Sequence, residues 1–253
     1  MIIAFGLPAL CVLALKNSDF FLSEALAFLI FGLQAMTPTL AALVVTLIVA
    51  GPQELKAFLY KLYVENLSIG WMVLAVLVPL ALLTGARLII FIFENKLPFF
   101  FPLTTKELLI AGWALIAEEV GWRGFLQEKL KPRFGSLLTP LFVGSIWALW
   151  HYHFYWLGTL AVPLGLFILT CIADSYGLYW ITNKTRGNII PASLWHFSGN
   201  LFIRLYAINP EDRNGSILPY LVYGALLALM ALLIVWQKGR APNNITSTVE
   251  PIR

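Results

Sequence analysis

The feature that most constrains this chain is a succession of long apolar runs broken only by short polar punctuation. A helix needs ~20 predominantly apolar residues to cross a bilayer. The 253 residues are 60% hydrophobic and 12% charged, with a mean hydropathy of +0.82. Soluble domains carry about 25% charged residues, so the expected architecture is an all-α polytopic transmembrane bundle. At ~20 residues per span plus short loops, the length accommodates about eight transmembrane helices. The expectation is one transmembrane domain over 1–236, followed by a polar C-terminal tail over 237–253. No repeat and no second domain is visible.

Spans are expected near 1–15, 25–50, 69–93, 105–127, 137–156, 160–182, 189–207 and 217–236. The first lacks a basic segment before it and a small-residue cleavage site after it, so it reads as a span and not as a signal peptide. Pro38 is expected to kink the second. Between the second and third, Leu55, Phe58, Leu59 and Leu62 alternate with Glu54, Lys56, Lys61 and Glu65 at the spacing of an interfacial amphipathic helix. Arg87, late in the third span, can snorkel. Phe93–Thr104 reads as an aromatic, proline-rich interfacial loop suited to gate substrate entry, and Glu128–Arg133 as a charged loop. The tryptophans are expected to be interface anchors. Cys11 and Cys171 lie in apolar runs and read as small fillers, not as a disulfide or metal pair.

The net charge of +4 is spread over the interhelical loops without a dense basic stretch, which argues against nucleic acid and for the lipid bilayer as the surrounding partner. Ten Lys and Arg fall on one side (Lys56, Lys61, Lys129, Lys131, Arg133, Lys184, Arg186, Lys238, Arg240, Arg253) and five on the other (Lys16, Lys96, Lys106, Arg204, Arg213). This asymmetry predicts both termini in the cytoplasm, in a plasma-membrane setting.

Within the apolar runs a few polar residues stand out. Glu118, Glu119 and Arg123 fall in the fourth expected span, His151 in the fifth, and His196 with Asn200 in the seventh. Ionisable groups in hydrocarbon cost several kcal/mol by most scales, so they mark functional sites by default. Three spans that each carry groups lipid would not tolerate are best accommodated by facing one another across a shared cavity. Glu119 and Arg123 are i, i+4 and can pair directly, while His196 and Asn200, also i, i+4, lie on one helix face. That leaves Glu118 to face the cavity. A carboxylate with an imidazole can activate water and later protonate a leaving amine. His196 and Asn200 are placed to stabilise an oxyanion. These are the parts of a peptidase without a nucleophilic Ser or Cys. Buried Glu–Arg and His–Asn pairs can also simply hold helices together. A zinc ion held by Glu118, His151 and His196 stays open as an alternative, although no H-E-x-x-H spacing signals it. His153 reads as an aromatic-belt residue beside Tyr152, Tyr155 and Trp156, and Asp174 as a helix-packing or cavity-lining group.

E-E-V-G-W-R-G-F-L at 118–126, W-A-L-W-H ending at His151 and H-F-S-G-N at 196–200 resemble, in order, the three motifs of the CPBP family of CAAX proteases and bacteriocin-processing proteins, also called Abi. The resemblance covers roughly 105–205. One departure is Trp147, where the family pattern has phenylalanine; as another large aromatic it is expected to affect packing more than chemistry. The resemblance implies an intramembrane endopeptidase acting on a membrane-associated peptide or protein, prenylated in the eukaryotic branch. It implies Glu118 and His151 activating water, His196 and Asn200 binding the oxyanion, and Glu119 with Arg123 in support. Members are described both as metalloproteases and as glutamate-type proteases, so zinc or no cofactor are both compatible. The rival readings are a non-enzymatic immunity or scaffold protein of the same fold, which predicts that Glu118→Gln preserves function, and a proton-coupled transporter. The absence of paired broken helices in two halves argues against the transporter.

Overall fold

A computed structural model describes residues 2–16, 23–93 and 98–240. The described chain is all-helical. A π turn over Ile2–Gly6 leads into α1 (Leu7–Lys16), followed by α2 (Glu24–Tyr63), α3 (Ile69–Phe93) and α4 (Thr105–Trp113). A π-helical segment, Val120–Gln127, runs directly into α5 (Glu128–Trp150) and α6 (Tyr152–Leu157). Then come α7 (Leu164–Lys184), α8 (Ile190–Leu205), a 3₁₀ turn over Pro210–Arg213 and α9 (Leu218–Arg240). Helix α5 packs on α7, α3 on α8, and α9 on both α7 and α3, which encloses the core. α9 runs to Arg240, past the expected start of the polar tail, and the rest of that tail lies outside the described residues.

Among the described residues, five helical stretches are long and apolar enough to cross a membrane: Ala25–Tyr63, Ile69–Phe93, Val120–Leu157, Leu164–Lys184 and Leu218–Gln237. The shortfall from eight has local causes. Ile2–Lys16 is a shorter apolar helix, and α8 has only 16 residues. The expected span over 105–127 is not one helix. α4 ends at Trp113, and the next amides bond three residues back (Leu115 to Gly112, Ile116 to Trp113) before the π segment opens. Tight turns followed by wide ones re-aim the side chains between them, and π segments concentrate at functional sites. Glu128–Arg133, expected as a loop, is instead the first turns of α5, and its charges are a solvated face. The break comes later, at Gly135, whose φ of 65° suits glycine.

At 1.5 Å per residue the 40 residues of α2 would span about 60 Å, twice the hydrocarbon thickness. Gly51, at φ 86° and ψ 175°, divides it into a membrane-length part and the amphipathic stretch. In that stretch Leu62 is buried and Leu55, Phe58 and Leu59 are partly buried, while Glu54, Lys56 and Lys61 are exposed. Pro38 stays inside the helix, because the Thr37 hydroxyl donates to Gln34 O at 2.8 Å and so occupies the carbonyl that Pro38 cannot serve. Gly121 packs against this point. A Cβ there would lie 2.5 Å from the Pro38 carbonyl carbon, so the π segment meets α2 backbone to backbone.

The two ends of the bundle are stitched differently. At one, Ile189 N–H donates to Leu62 O, Asn188 Nδ2 to Glu65 O, and Lys61 and Lys131 flank Glu128. At the other, Phe101 N–H donates to Leu205 O and Ala161 N–H to the Glu211 carboxylate. Arg87 does not snorkel. It is buried and donates to the carbonyls of Pro98 and Phe99, which lets a deep guanidinium find acceptors without reaching the headgroups. The part of the proline-rich loop over 98–102 is thereby tied to α3; residues 94–97 lie outside the described residues.

The tryptophans also depart from expectation. Trp122, Trp147, Trp150 and Trp195 are core residues, and each indole N–H has an acceptor inside the bundle. A buried Trp needs such a partner, and internal carboxylates and carbonyls supply it. Trp156 and Trp236 remain exposed. Cys11 and Cys171 are buried free thiols, as expected of fillers.

Candidate active site

Glu118 and Glu119 immediately precede the π segment and meet different partners. Glu119 is 1% exposed. Its Oε1 accepts from Arg123 Nη1 at 3.0 Å and from His196 Nδ1 at 2.9 Å. The expected i, i+4 ion pair is therefore present, and it is extended to α8. Arg123 is fully buried and lies over the Trp147 ring, 4.5 Å from its centroid. Its Nε and Nη2, and Glu119 Oε2, have no hydrogen-bond partner among the described residues.

Glu118 Oε2 accepts two indole N–H groups, from Trp122 at 3.1 Å and Trp147 at 2.7 Å. Oε1 accepts none among the described residues, and it is not sealed inside the protein. Two neutral donors on one oxygen hold the carboxylate in place and leave the other oxygen free to react. Trp147 also reaches His151: its carbonyl lies 2.7 Å from His151 Nδ1. A carbonyl can only accept, so Nδ1 carries the proton, and in the neutral ring Nε2 keeps its lone pair. His151 closes α5, with φ −71° and ψ 3°, and this end of the helix turns its ring toward α7, 5.0 Å from Phe167.

His151, His196 and Asn200 line one cavity of about 110 Å³ together with Trp147, bounded by α5, α7, α8 and α9. His196 and Asn200 stand one turn apart on α8. Glu118 is not on this wall. It lies within electrostatic range of His196 and meets the cavity through Trp147. The structure thus joins Glu119, Arg123 and His196 directly, joins Glu118 to His151 through Trp147, and sets Asn200 beside His196. The sequence reading missed Trp147 as a polar participant. Its only sign was the departure from phenylalanine, because an indole adds a donor that a phenyl ring lacks.

His153 is not an aromatic-belt residue. It is fully buried, with Nδ1 2.7 Å from Trp150 O and its ring against Trp150 and Phe154. The break at His151 starts a new helix, which folds His153 inward. Asp174 does both things expected of it: Oδ1 accepts the Trp195 indole N–H at 2.8 Å, tying α7 to α8, and the residue lines the cavity. Among the described residues, no group of three or more His, Cys, Asp or Glu side chains is placed to hold a metal ion. Glu118 Oε2 accepts from indoles, and the Nδ1 atoms of His151 and His196 face a carbonyl and a carboxylate, which leaves Glu118 Oε1 and both Nε2 atoms for other partners.

Residues 98–202 match the sequence profile of the family described as type II CAAX prenyl endopeptidase Rce1-like. A relative described as CAAX prenyl protease 2, from Methanococcus maripaludis, is 28% identical over 130 residues. That alignment covers 48% of this chain and 46% of the relative, so the chain spans about half the length of the curated protein it matches. Both findings support the CPBP, Rce1-like family, and the matched segment contains all three polar motifs.

Proposed function

We propose that the chain is an intramembrane endopeptidase that hydrolyses a peptide bond of a membrane-tethered protein, with a prenylated C-terminal segment as the substrate class. The family match supports endopeptidase activity. The observation that carries the mechanism is Trp147, which holds Glu118 through its indole and sets the His151 tautomer through its carbonyl.

In this reading a water lies between Glu118 Oε1 and His151 Nε2. One of its protons passes to this acid–base pair as its oxygen attacks the scissile carbonyl carbon. The carbonyl π electrons move onto oxygen, and His196 Nε2–H (as imidazolium, its Nδ1–H held by Glu119) with Asn200 Nδ2–H stabilises the oxyanion. When the C–N bond breaks, the proton held by the pair goes to the leaving nitrogen, so the products are a carboxylic acid and an amine. Glu119 and Arg123 orient His196. No step in this reading is routed through a metal. The catalytic unit in this reading spans about 105–205 within one transmembrane domain, and the end carrying Lys61, Lys131 and Arg186 faces the cytoplasm at the plasma membrane.

The test is cleavage of a prenylated C-a-a-X peptide by the purified full chain in vesicles, followed by mass spectrometry of the released fragment. Glu118→Gln and His151→Ala should each lower kcat at least ~100-fold while the thermal melting profile persists. Undiminished turnover in both variants would overturn the roles given to Glu118 and His151, and absence of cleavage by the wild-type chain would favour a non-enzymatic role.

A further inference from the structure

The cavity shared by His151, His196 and Asn200 has a second wall that the hydrolytic chemistry leaves idle. α7 contributes Thr170, Cys171 and Asp174 to it, and α9 contributes Tyr220 and Tyr223. Asp174 Oδ1 is bonded to the Trp195 indole, but Oδ2 has no hydrogen-bond partner among the described residues and is not sealed off. The Tyr223 hydroxyl is in the same position, whereas that of Tyr220 is paired with Thr170 Oγ1 at 2.9 Å. A carboxylate offers about four lone-pair sites, and a single neutral N–H meets only part of that capacity. A carboxylate inside an apolar bundle is costly unless a cation or further donors meet it.

The cations within electrostatic range of Asp174 are already committed. Arg123 and His196 both bond to Glu119, and Arg123 is not on the cavity wall. No Lys or Arg lines the cavity. Its volume of about 110 Å³ is far more than the ~15 Å³ a single water needs. The rings of Tyr220 and Tyr223 stand edge to face at 6.2 Å, and tyrosine faces attract cations. Free carboxylate oxygen, free phenol oxygen and aromatic faces make a set that suits a cation better than a neutral or anionic group.

We propose that Asp174 and Tyr223 form a cation subsite, which receives an ammonium or guanidinium group from the peptide portion of the substrate while the scissile carbonyl lies at His196 and Asn200. The identity of the cation's bearer rests on the peptidase reading; the site itself does not.

The test uses prenylated C-a-a-X peptides carrying lysine or norleucine at each position after the cysteine. Binding is measured by fluorescence anisotropy to the full Glu118→Gln chain in detergent. At one position the lysine peptide should bind about tenfold more tightly than its norleucine twin, as a charge-assisted hydrogen bond supplies. Asp174→Asn keeps a carbonyl for Trp195 but loses the charge, and should bring the ratio close to one. Tyr223→Phe should reduce the ratio in part, and n-butylammonium, unlike n-butanol, should displace the lysine peptide. These last two measurements decide the matter if Asp174→Asn does not fold. A ratio near one at every position, or a ratio undiminished in Asp174→Asn, overturns the subsite. Charge-dependent binding without wild-type cleavage would refute the peptidase reading and leave the subsite standing. Cleavage without charge preference would refute the subsite alone.

Discussion

Trp147 is the residue on which most of the site's geometry turns. Its indole holds Glu118, its ring carries the Arg123 guanidinium and its carbonyl fixes His151. Trp147→Phe retains an aromatic face for Arg123 and the backbone bond to His151, and removes only the donor to Glu118. It should therefore reduce kcat roughly 10- to 150-fold, as the loss of one hydrogen bond to a charged group costs ~1.5–3 kcal/mol, while KM stays within a factor of two. An equal fall in a Trp147→Phe, Glu118→Gln double variant relative to Glu118→Gln alone would show that the effect does not pass through Glu118. Chelation bears on the same residues: exhaustive dialysis against a strong zinc chelator should leave turnover unchanged, and restoration by zinc after a loss would overturn the metal-free mechanism. The candidate residues themselves were legible in the sequence because charge is so scarce in it. Their pairings were only half legible. The i, i+4 bond from Glu119 to Arg123 follows from helix geometry, but the bond from Glu119 to His196 joins residues 77 positions apart.

At the scale of elements, the π segment works because it lies against α2. Gly121 permits the approach, so Gly121→Ala should destabilise the protein by ~1–3 kcal/mol through forced backbone shifts. The readout is a lower melting temperature, with a parallel loss of activity as Glu118 and Glu119 move. Short α4 depends on its N-terminus. The Thr104 hydroxyl accepts from Glu107 N–H, and the Glu107 carboxylate accepts from Thr104 N–H in return. Thr104→Ala should cost about 1 kcal/mol. The bonds from the Thr104 backbone and hydroxyl hold the Glu107 carboxyl below its ordinary pKa. A lowered folded-state value means that its contribution is complete above the unfolded pKa and is lost as pH falls through the folded one. The difference in melting temperature between wild type and Glu107→Gln should accordingly shrink on acidification below about pH 4. Element boundaries were legible where composition changes, as at Ile69–Phe93, which matches the expected span. They were illegible at 113–128, where apolar composition runs on while the hydrogen-bond register switches from three to five residues.

For the whole molecule, the fold gathers the basic ends of α2, α5 and α7 at one face, with Lys61 beside Glu128 and Gly187. Cysteines introduced at Lys131 and Arg186 should both be labelled by a membrane-impermeant maleimide only from the cytoplasmic side of oriented cells; labelling from outside would invert the proposed orientation. The sequence by itself determined the class of fold, because hydrophobic runs of bilayer length leave a backbone little choice but helix. It also singled out the few residues proposed to carry the chemistry, because an ionisable group survives in that setting only for a reason. What each of those residues touches was decided by tertiary structure. Helix breaks at Trp113, Gly135 and His151, and the burial of four tryptophans, depend on contacts between segments far apart in sequence. Such contacts leave no periodic trace in composition, so Trp147, Asp174 and Tyr223 acquire their roles only when α5, α7, α8 and α9 close around one cavity.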